Sequence, residues 1–247
     1  MPALTTAQRI RATVGVAVIF GTWFYLVFTR PTDWESVGGS SPALITLGGY
    51  VFGAILLLSA SLPILPARTI AIIPAALVLN IVIGQIIGSV GIPLYLDSVG
   101  TILVAGLAGP IAGLATGTLS SIVWGLFNPA ALPFAAVSAM VGLLSGVMIA
   151  KGMLRNIPLT ITAGVVLGVI SGMLAAPVAA FVYGGTAGVG TGALVSLFRE
   201  MGNSLIGSVT AQSLVSDPLD KALVMIIVHV AIRSLPKKTL ASFHART

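Results

Sequence analysis

The chain alternates long apolar runs with short polar interruptions, and most of the runs have the length of a membrane span. A spanning helix needs about 20 apolar residues, fewer where it is irregular. On that basis the pattern predicts helices at roughly 10–29, 42–62, 70–90, 95–108, 110–127, 133–150, 158–181 and 218–235. Gly109-Pro110 separates the short fourth helix from the fifth, because proline suits a helix start, where its missing N–H would be unpaired anyway. The first run is preceded by Arg9 and Arg11 and followed by no small-residue cleavage site. It is expected to be a permanent helix rather than a signal peptide.

The stretch 182–217 breaks the pattern. Its core, Thr191 to Val215, is apolar, but a ninth span there would put Arg199 and Glu200 near its centre, where two charges are costly. The expectation is a re-entrant or surface-lying helical cap on the outer face, placed before the last helix. The run Gly184-Gly185-Thr186-Ala187-Gly188-Val189-Gly190 opens it.

Composition sharpens this picture. Hydrophobic residues make up 57% of the chain and charged residues 7%, with a mean hydropathy of +1.10. A soluble domain carries about a quarter charged residues, so this chain cannot coat a water-facing surface. The net charge of +6 does not indicate nucleic acid, since the basic residues are scattered between apolar runs. Their distribution orients the chain instead. With eight spans and both termini cytoplasmic, Arg9, Arg11, Arg68, Lys151, Arg155, Arg233, Lys237, Lys238 and Arg246 fall inside, and Arg30, Arg199 and Lys221 outside. All six acids (Asp33, Glu35, Asp97, Glu200, Asp217 and Asp220) fall outside as well. The nine-to-three basic split carries the orientation. Merging the fourth and fifth helices would move Lys151 and Arg155 to the side opposite Arg68.

Catalytic chemistry finds little to work with, and no enzyme activity, cofactor or metal is expected. Cysteine is absent, which excludes disulfides, thiolate metal sites and cysteine nucleophiles. The two histidines, His229 and His244, form no zinc motif, and Ser145 has no identifiable base. The glycines of 184–190 are followed by no Gly-Lys-Ser/Thr and form no phosphate loop. Glycines at spacing four (Gly84/Gly88, Gly109/Gly113/Gly117, Gly164/Gly168/Gly172) suit close helix packing. Asn80 and Gln85, inside the third helix, suit interhelical hydrogen bonds.

The polar groups predicted on the outer side are better candidates for a binding site. Tyr95 and Asp97 lie between the third and fourth helices, and Asp97 either caps the following helix or touches a ligand. Trp124 and Asn128 end the fifth helix at the same face, where Trp124 is either an interfacial belt residue or a ligand contact. Arg199, Glu200 and Asn203 share one side of a helix at spacings of three to four. They are either a solvated face or, in an otherwise apolar cap, a ligand clamp in which Arg199 grips an anionic group.

From about residue 70 onward the chain resembles the S components of energy-coupling factor (ECF) transporters. The residues that carry the likeness are Leu94-Tyr-Leu-Asp-Ser-Val-Gly-Thr-Ile-Leu-Val-Ala-Gly-Leu-Ala-Gly-Pro-Ile-Ala-Gly113, running into Gly117-Thr-Leu-Ser-Ser-Ile-Val-Trp-Gly125. Gly184-Gly-Thr and Ser216-Asp-Pro-Leu-Asp-Lys221 add to it. The resemblance implies a six-helix core at 67–247, preceded by two additional transmembrane helices within 1–66 and carrying the outer cap 182–217. It also implies capture of a small water-soluble vitamin or related micronutrient near the outer face of the cell membrane. The implied partners are a transmembrane coupling subunit and two cytoplasmic ATPases, docked through the small-residue pair Ala71 and Ala75, although Pro74 between them departs from the family pattern. The Leu-Tyr-Leu-Asp segment also resembles membrane sensor domains of bacterial signalling proteins, but no kinase or cyclase segment follows Thr247. A stand-alone secondary transporter is the other alternative, with Asn80, Gln85 and His229 as its available intramembrane groups.

Overall fold

A computed structural model of the chain describes residues 4–31, 40–185, 188–236, 238, 240 and 243. Asp33, Glu35, Thr186, Ala187, Lys237, His244 and Arg246, on which parts of the sequence reading draw, lie outside the described residues. Among the described residues there are nine α-helices: α1 (Thr6–Thr29), α2 (Ser41–Ser61), α3 (Ala67–Ser89), α4 (Val99–Ala108), α5 (Pro110–Gly125), α6 (Ala135–Ala150), α7 (Ile157–Val182), α8 (Val189–Glu200) and α9 (Leu205–Ser234). Short 3-10 segments follow α2 (Leu62–Ile64) and precede α6 (Pro129–Phe134). No strand occurs among them.

Five stretches are long and apolar enough to cross a membrane: Thr6–Thr29, Ser41–Ile64, Ala67–Ser89, Pro129–Ala150 and Ile157–Val182. The chain is a helical membrane protein. Helix starts follow ordinary capping chemistry. Thr5 and Gln8 form a reciprocal capping box at α1, and the Asn156 side chain accepts the Leu159 N–H at 3.0 Å to open α7.

Gly109, at φ +90°, breaks α4 from α5 as the Gly-Pro dipeptide predicts. The two fold back on each other so that a Cβ at Gly113 would lie 2.5 Å from that of Ala105. Farther along, Gly117 lies against the Ser138 carbonyl, and Gly142 against that of Gly113. The absent side chains let α5 and α6 approach to backbone contact, which is how small residues associate helices in lipid. The same device joins α7 to α9, where Gly164, Gly168 and Gly172 sit on α9 at Ala222, Asp217 and Ser213. Gly88 differs, because nothing stands within 4 Å of its missing Cβ.

The helices α1 and α2 share one apolar core with α5, α6 and α7, built around Ile19, Tyr50, Leu57, Leu114 and Val178. Trp23 Nε1 donates to the Leu174 carbonyl at 3.2 Å, and the Tyr50 hydroxyl to that of Pro133 at 3.3 Å. The starts of α3, α5 and α7 and the ends of α4, α6 and α9 gather at one end of the bundle. There Arg233 Nη2 donates to the carbonyls of Leu154 (3.3 Å) and Arg155 (2.7 Å). Arg68, Lys151, Arg155 and Arg233 therefore share that end.

Two boundaries differ from the sequence reading. The last helix begins at Leu205 rather than near 218 and runs through Pro218 for 30 residues. The segment 182–217 is accordingly not one cap. Gly202, at φ +90°, ends α8, and Ser204 then caps α9 by accepting the Gly207 N–H. Only α8 lies over the bundle, packed through Val195 against Ala176, Ala180 and Val209.

Candidate functional site

The link between α3 and α4 turns inward, and the site is built around it. Residues 90–98 fold toward α9, where Asp220 Oδ1 accepts the backbone N–H groups of Tyr95 (2.9 Å) and Leu96 (2.7 Å). These bonds hold Leu96 in the left-handed region at φ +49°, which a bulky residue adopts only under constraint. The helix that follows, α4, has only ten residues. Its first turn is satisfied from α3, since Asn80 Oδ1 accepts the Gly100 N–H at 2.7 Å. The amide nitrogen of Asn80 donates to Thr101 Oγ1 (2.8 Å) and Ser120 Oγ (3.2 Å). Asn80 thus makes the interhelical bonds expected of it, and it caps α4 in place of Asp97.

Asp97 points elsewhere, reaching the Lys221 ammonium at 3.5 Å. Lys221 is also paired with its neighbour Asp220, and Asp217 lies one helical turn earlier on α9. These charges are buried. Asp217 is 5% exposed, Asp220 0% and Lys221 5%. The sequence reading placed Asp217 at the end of the outer cap and Asp220 and Lys221 at the outer start of the last helix; in the structure all three are buried within α9. At 1.5 Å per residue they stand about 18–24 Å along α9 from Arg233. Burying charges is expensive unless partners and hydrogen bonds compensate. Here Asp220 is compensated by two amides and an ammonium. The glycine stripe of α7 brings α9 close enough to present Asp217 beside Gly172, whose Cβ would lie 2.9 Å from Asp217 Oδ2.

Above this cluster lies a cavity of about 390 Å³. Tyr95, Asp97 and Ser98 of the inward link form one wall, and Gln212, Ser213, Asp217 and Lys221 of α9 another. Trp124 and Phe134 supply aromatic surface. Trp124 leans over Gly84, where a Cβ would meet the indole at 2.6 Å and Asp97 Cβ at 2.9 Å. Phe134 is stacked on Tyr183 at 5.8 Å between centroids, and the Tyr183 hydroxyl donates to the Ala130 carbonyl at 2.9 Å. The first turn of α8 (Gly190, Thr191) closes the rim, with Gly190 against the backbone of Gly91 and Ile92. Two buried polar atoms in the lining, Ser98 Oγ and Gln212 Nε2, have no hydrogen-bond partner among the described residues.

Of the residues singled out from the sequence, Tyr95, Asp97, Trp124 and Asn128 line this cavity. Asn128 has a second duty there, since its Oδ1 accepts the Ala130 N–H at 3.2 Å and opens the 3-10 segment. Arg199, Glu200 and Asn203 do not line it. They are exposed at the far end of α8, eight or more residues beyond the rim-forming Thr191 and hence about 12 Å away along the helix. The Asn203 side chain donates to the Phe198 carbonyl at 3.0 Å. Sequence reasoning passed over Gln212 and Ser213 as cap residues and Asp217 and Lys221 as outer charges. An Asp-x-x-Asp-Lys series next to an 11-residue run (Ala222–Ile232) that is apolar apart from His229 was the available signal. Gln85 faces the cavity, and His229 lies at the opposite end, 3.0 Å from Thr160 Oγ1. Ala71 and Ala75 are exposed on the outer side of α3.

Comparison of the chain with protein-family models, with curated proteins and with solved structures found no match.

Proposed function

We propose that the chain captures a small water-soluble nutrient in this cavity, as the S component of an ECF-type importer. The observation that carries the reading is the cavity itself. It is a roughly 390 Å³ space with convergent polar groups in an otherwise apolar bundle, at the end away from Arg68, Lys151, Arg155 and Arg233. That volume is in the range of small-molecule sites. In this reading the chain spans the membrane eight times. The spans are α1, α2, α3, the inward link with α4, then α5, α6, α7 and α9, with both termini cytoplasmic. The positive-inside bias puts the basic end in the cytoplasm and the cavity in the outer half, with α8 as its outer cap. The helices from α3 onward form the six-span core, and α1 and α2 are additional. Energy comes from a coupling subunit and two ATPases, docked on the exposed face of α3 around Ala71 and Ala75.

A stand-alone secondary transporter is favoured by a different observation. The buried set Asp97, Asp217, Asp220 and Lys221 is the kind of intramembrane charge group that ion-coupled carriers use. Affinity purification from native membranes followed by reconstitution separates the two. Co-purified ATPase and coupling subunits, with uptake that requires ATP inside the vesicles, support the importer. Uptake by the chain alone, driven by an ion gradient, supports the carrier. A preparation that retains and transports no small molecule overturns both.

A further inference from the structure

Resting on the reading of the cavity as a capture site, we infer that it takes a small organic cation, with a ring against Trp124 and a protonated amine between Asp97 and Asp217. Three carboxylates surround a single ammonium, and that ammonium is already committed to Asp220. Asp220 in turn is fully occupied by the two amides of the inward link. Asp97 keeps only a long 3.5 Å contact with Lys221, and 30% of its side chain is open to the cavity. Asp217 lines the same wall and makes no ion pair with any described residue. Three carboxyl groups thus stand beside one ammonium at the cavity wall, where partial burial strengthens their interaction with a cation.

An acidic cluster alone would be a weak indication. The second observation is the pair of unpartnered polar atoms in the same lining. Ser98 is 5% exposed and Gln212 3%, and Ser98 Oγ and Gln212 Nε2 have no partner among the described residues. Buried polar groups are ordinarily satisfied, so these two are placed for a ligand's acceptor atom. The first turn of α8 at the rim also favours an acceptor, but a helix terminus amounts to about half a charge. The carboxyl groups of Asp97 and Asp217 in the same lining, each able to accept from a protonated amine, outnumber it. Trp124 adds an aromatic face, which attracts a cation as well as a ring. Nor do the carboxylates suit a metal ion, since no group of three His, Cys, Asp or Glu among the described residues is placed to hold one.

The test uses three probes that share a phenol ring and a two-carbon arm and differ at its end: tyramine (ammonium), tyrosol (hydroxyl) and 4-hydroxyphenylacetate (carboxylate). Binding to the full chain in nanodiscs of zwitterionic lipid is measured by calorimetry. Tyramine is expected to bind at least about tenfold more tightly than tyrosol, as a charge-assisted contact implies, and 4-hydroxyphenylacetate the least. Asp217→Asn should erase the preference, and Asp97→Asn, at the more open position, should reduce it should the first variant fail to fold. Equal binding of all three, or tightest binding of the carboxylate, overturns the cation assignment. Native mass spectrometry of the purified protein separates this failure from failure of the capture reading. A retained neutral or anionic molecule removes the cation assignment and leaves capture standing, whereas no retained molecule and no probe binding removes both.

Discussion

Asn80 is the side chain on which the inward link and the short helix α4 most depend, and Asn80→Ala isolates that dependence. The residue is fully buried. Its oxygen accepts from the Gly100 N–H at 2.7 Å and the Thr101 N–H at 3.4 Å, and its nitrogen donates to Thr101 Oγ1 and Ser120 Oγ at 2.8 and 3.2 Å. Alanine removes all four bonds. Water cannot readily replace them at Gly100, which lies against the Ala76 backbone on α3. Each stranded buried group costs about 1–3 kcal/mol. Loss of a helix cap costs about 0.5–2 kcal/mol, whereas interhelical hydrogen bonds in membranes average only about 0.6 kcal/mol. Taking the cap figure for the two amides together and the last figure for each of the two hydroxyls gives an expected loss of about 2–3 kcal/mol. Unfolding by SDS in mixed micelles measures it, with Gln85→Ala on the cavity side of the same helix as the control, expected within about 0.5 kcal/mol of wild type. A double-mutant cycle with Thr101→Ala should return a coupling energy well above zero. If Asn80→Ala costs no more than the Gln85 control, the side chain does not anchor α4 and the account of the inward link fails.

Four further outcomes are expected. Gly168→Val should push α9 away at the Asp217 carbonyl and Pro218, costing at least the roughly 1–3 kcal/mol of overpacking, read as lost stability in the same SDS titration; a wild-type titration would refute the backbone contact. Gly84→Leu should displace Trp124 and Asp97 and weaken tyramine binding by at least about tenfold while the protein still elutes as a folded species. Arg199→Ala should leave tyramine affinity within about twofold of wild type, because an exposed group outside the cavity contributes little; a larger loss would return α8 to the site. In this cysteine-free chain, Pro129→Cys should react with an impermeant thiol reagent from outside the cell and Met153→Cys should not, and the reverse pattern would invert the proposed orientation.

Which parts of this protein were legible in its sequence follows from which energies are local. Transfer of an apolar run into lipid sums over its own residues, so the runs that become α1, α2, α3, α6 and α7 could be read directly. Gly109-Pro110 likewise forces its own break, and the Gly113/Gly117 and Gly164/Gly168/Gly172 stripes mark close packing wherever their partners lie. The inward-facing Tyr95 and Asp97, Trp124 at the end of α5 and Asn128 just beyond it could be picked out as polar or aromatic residues at one end of the bundle. The extent of α9 could not. The cost of burying Asp220 and Lys221 depends on compensation from Tyr95, Leu96 and Asp97, more than a hundred positions away in the chain. A window of sequence sees only the charges, starts the last helix near 218 and leaves them at its outer end. Arg199 failed as a cavity residue for a related reason. Its spacing to Glu200 and Asn203 fixes a helix face, but only the docking of α8 onto α7 and α9 determines that this face looks outward. Tertiary structure alone brought an inward link, a glycine-striped helix and a charged turn of α9 around one cavity, because burial and pairing energies are properties of neighbours in space.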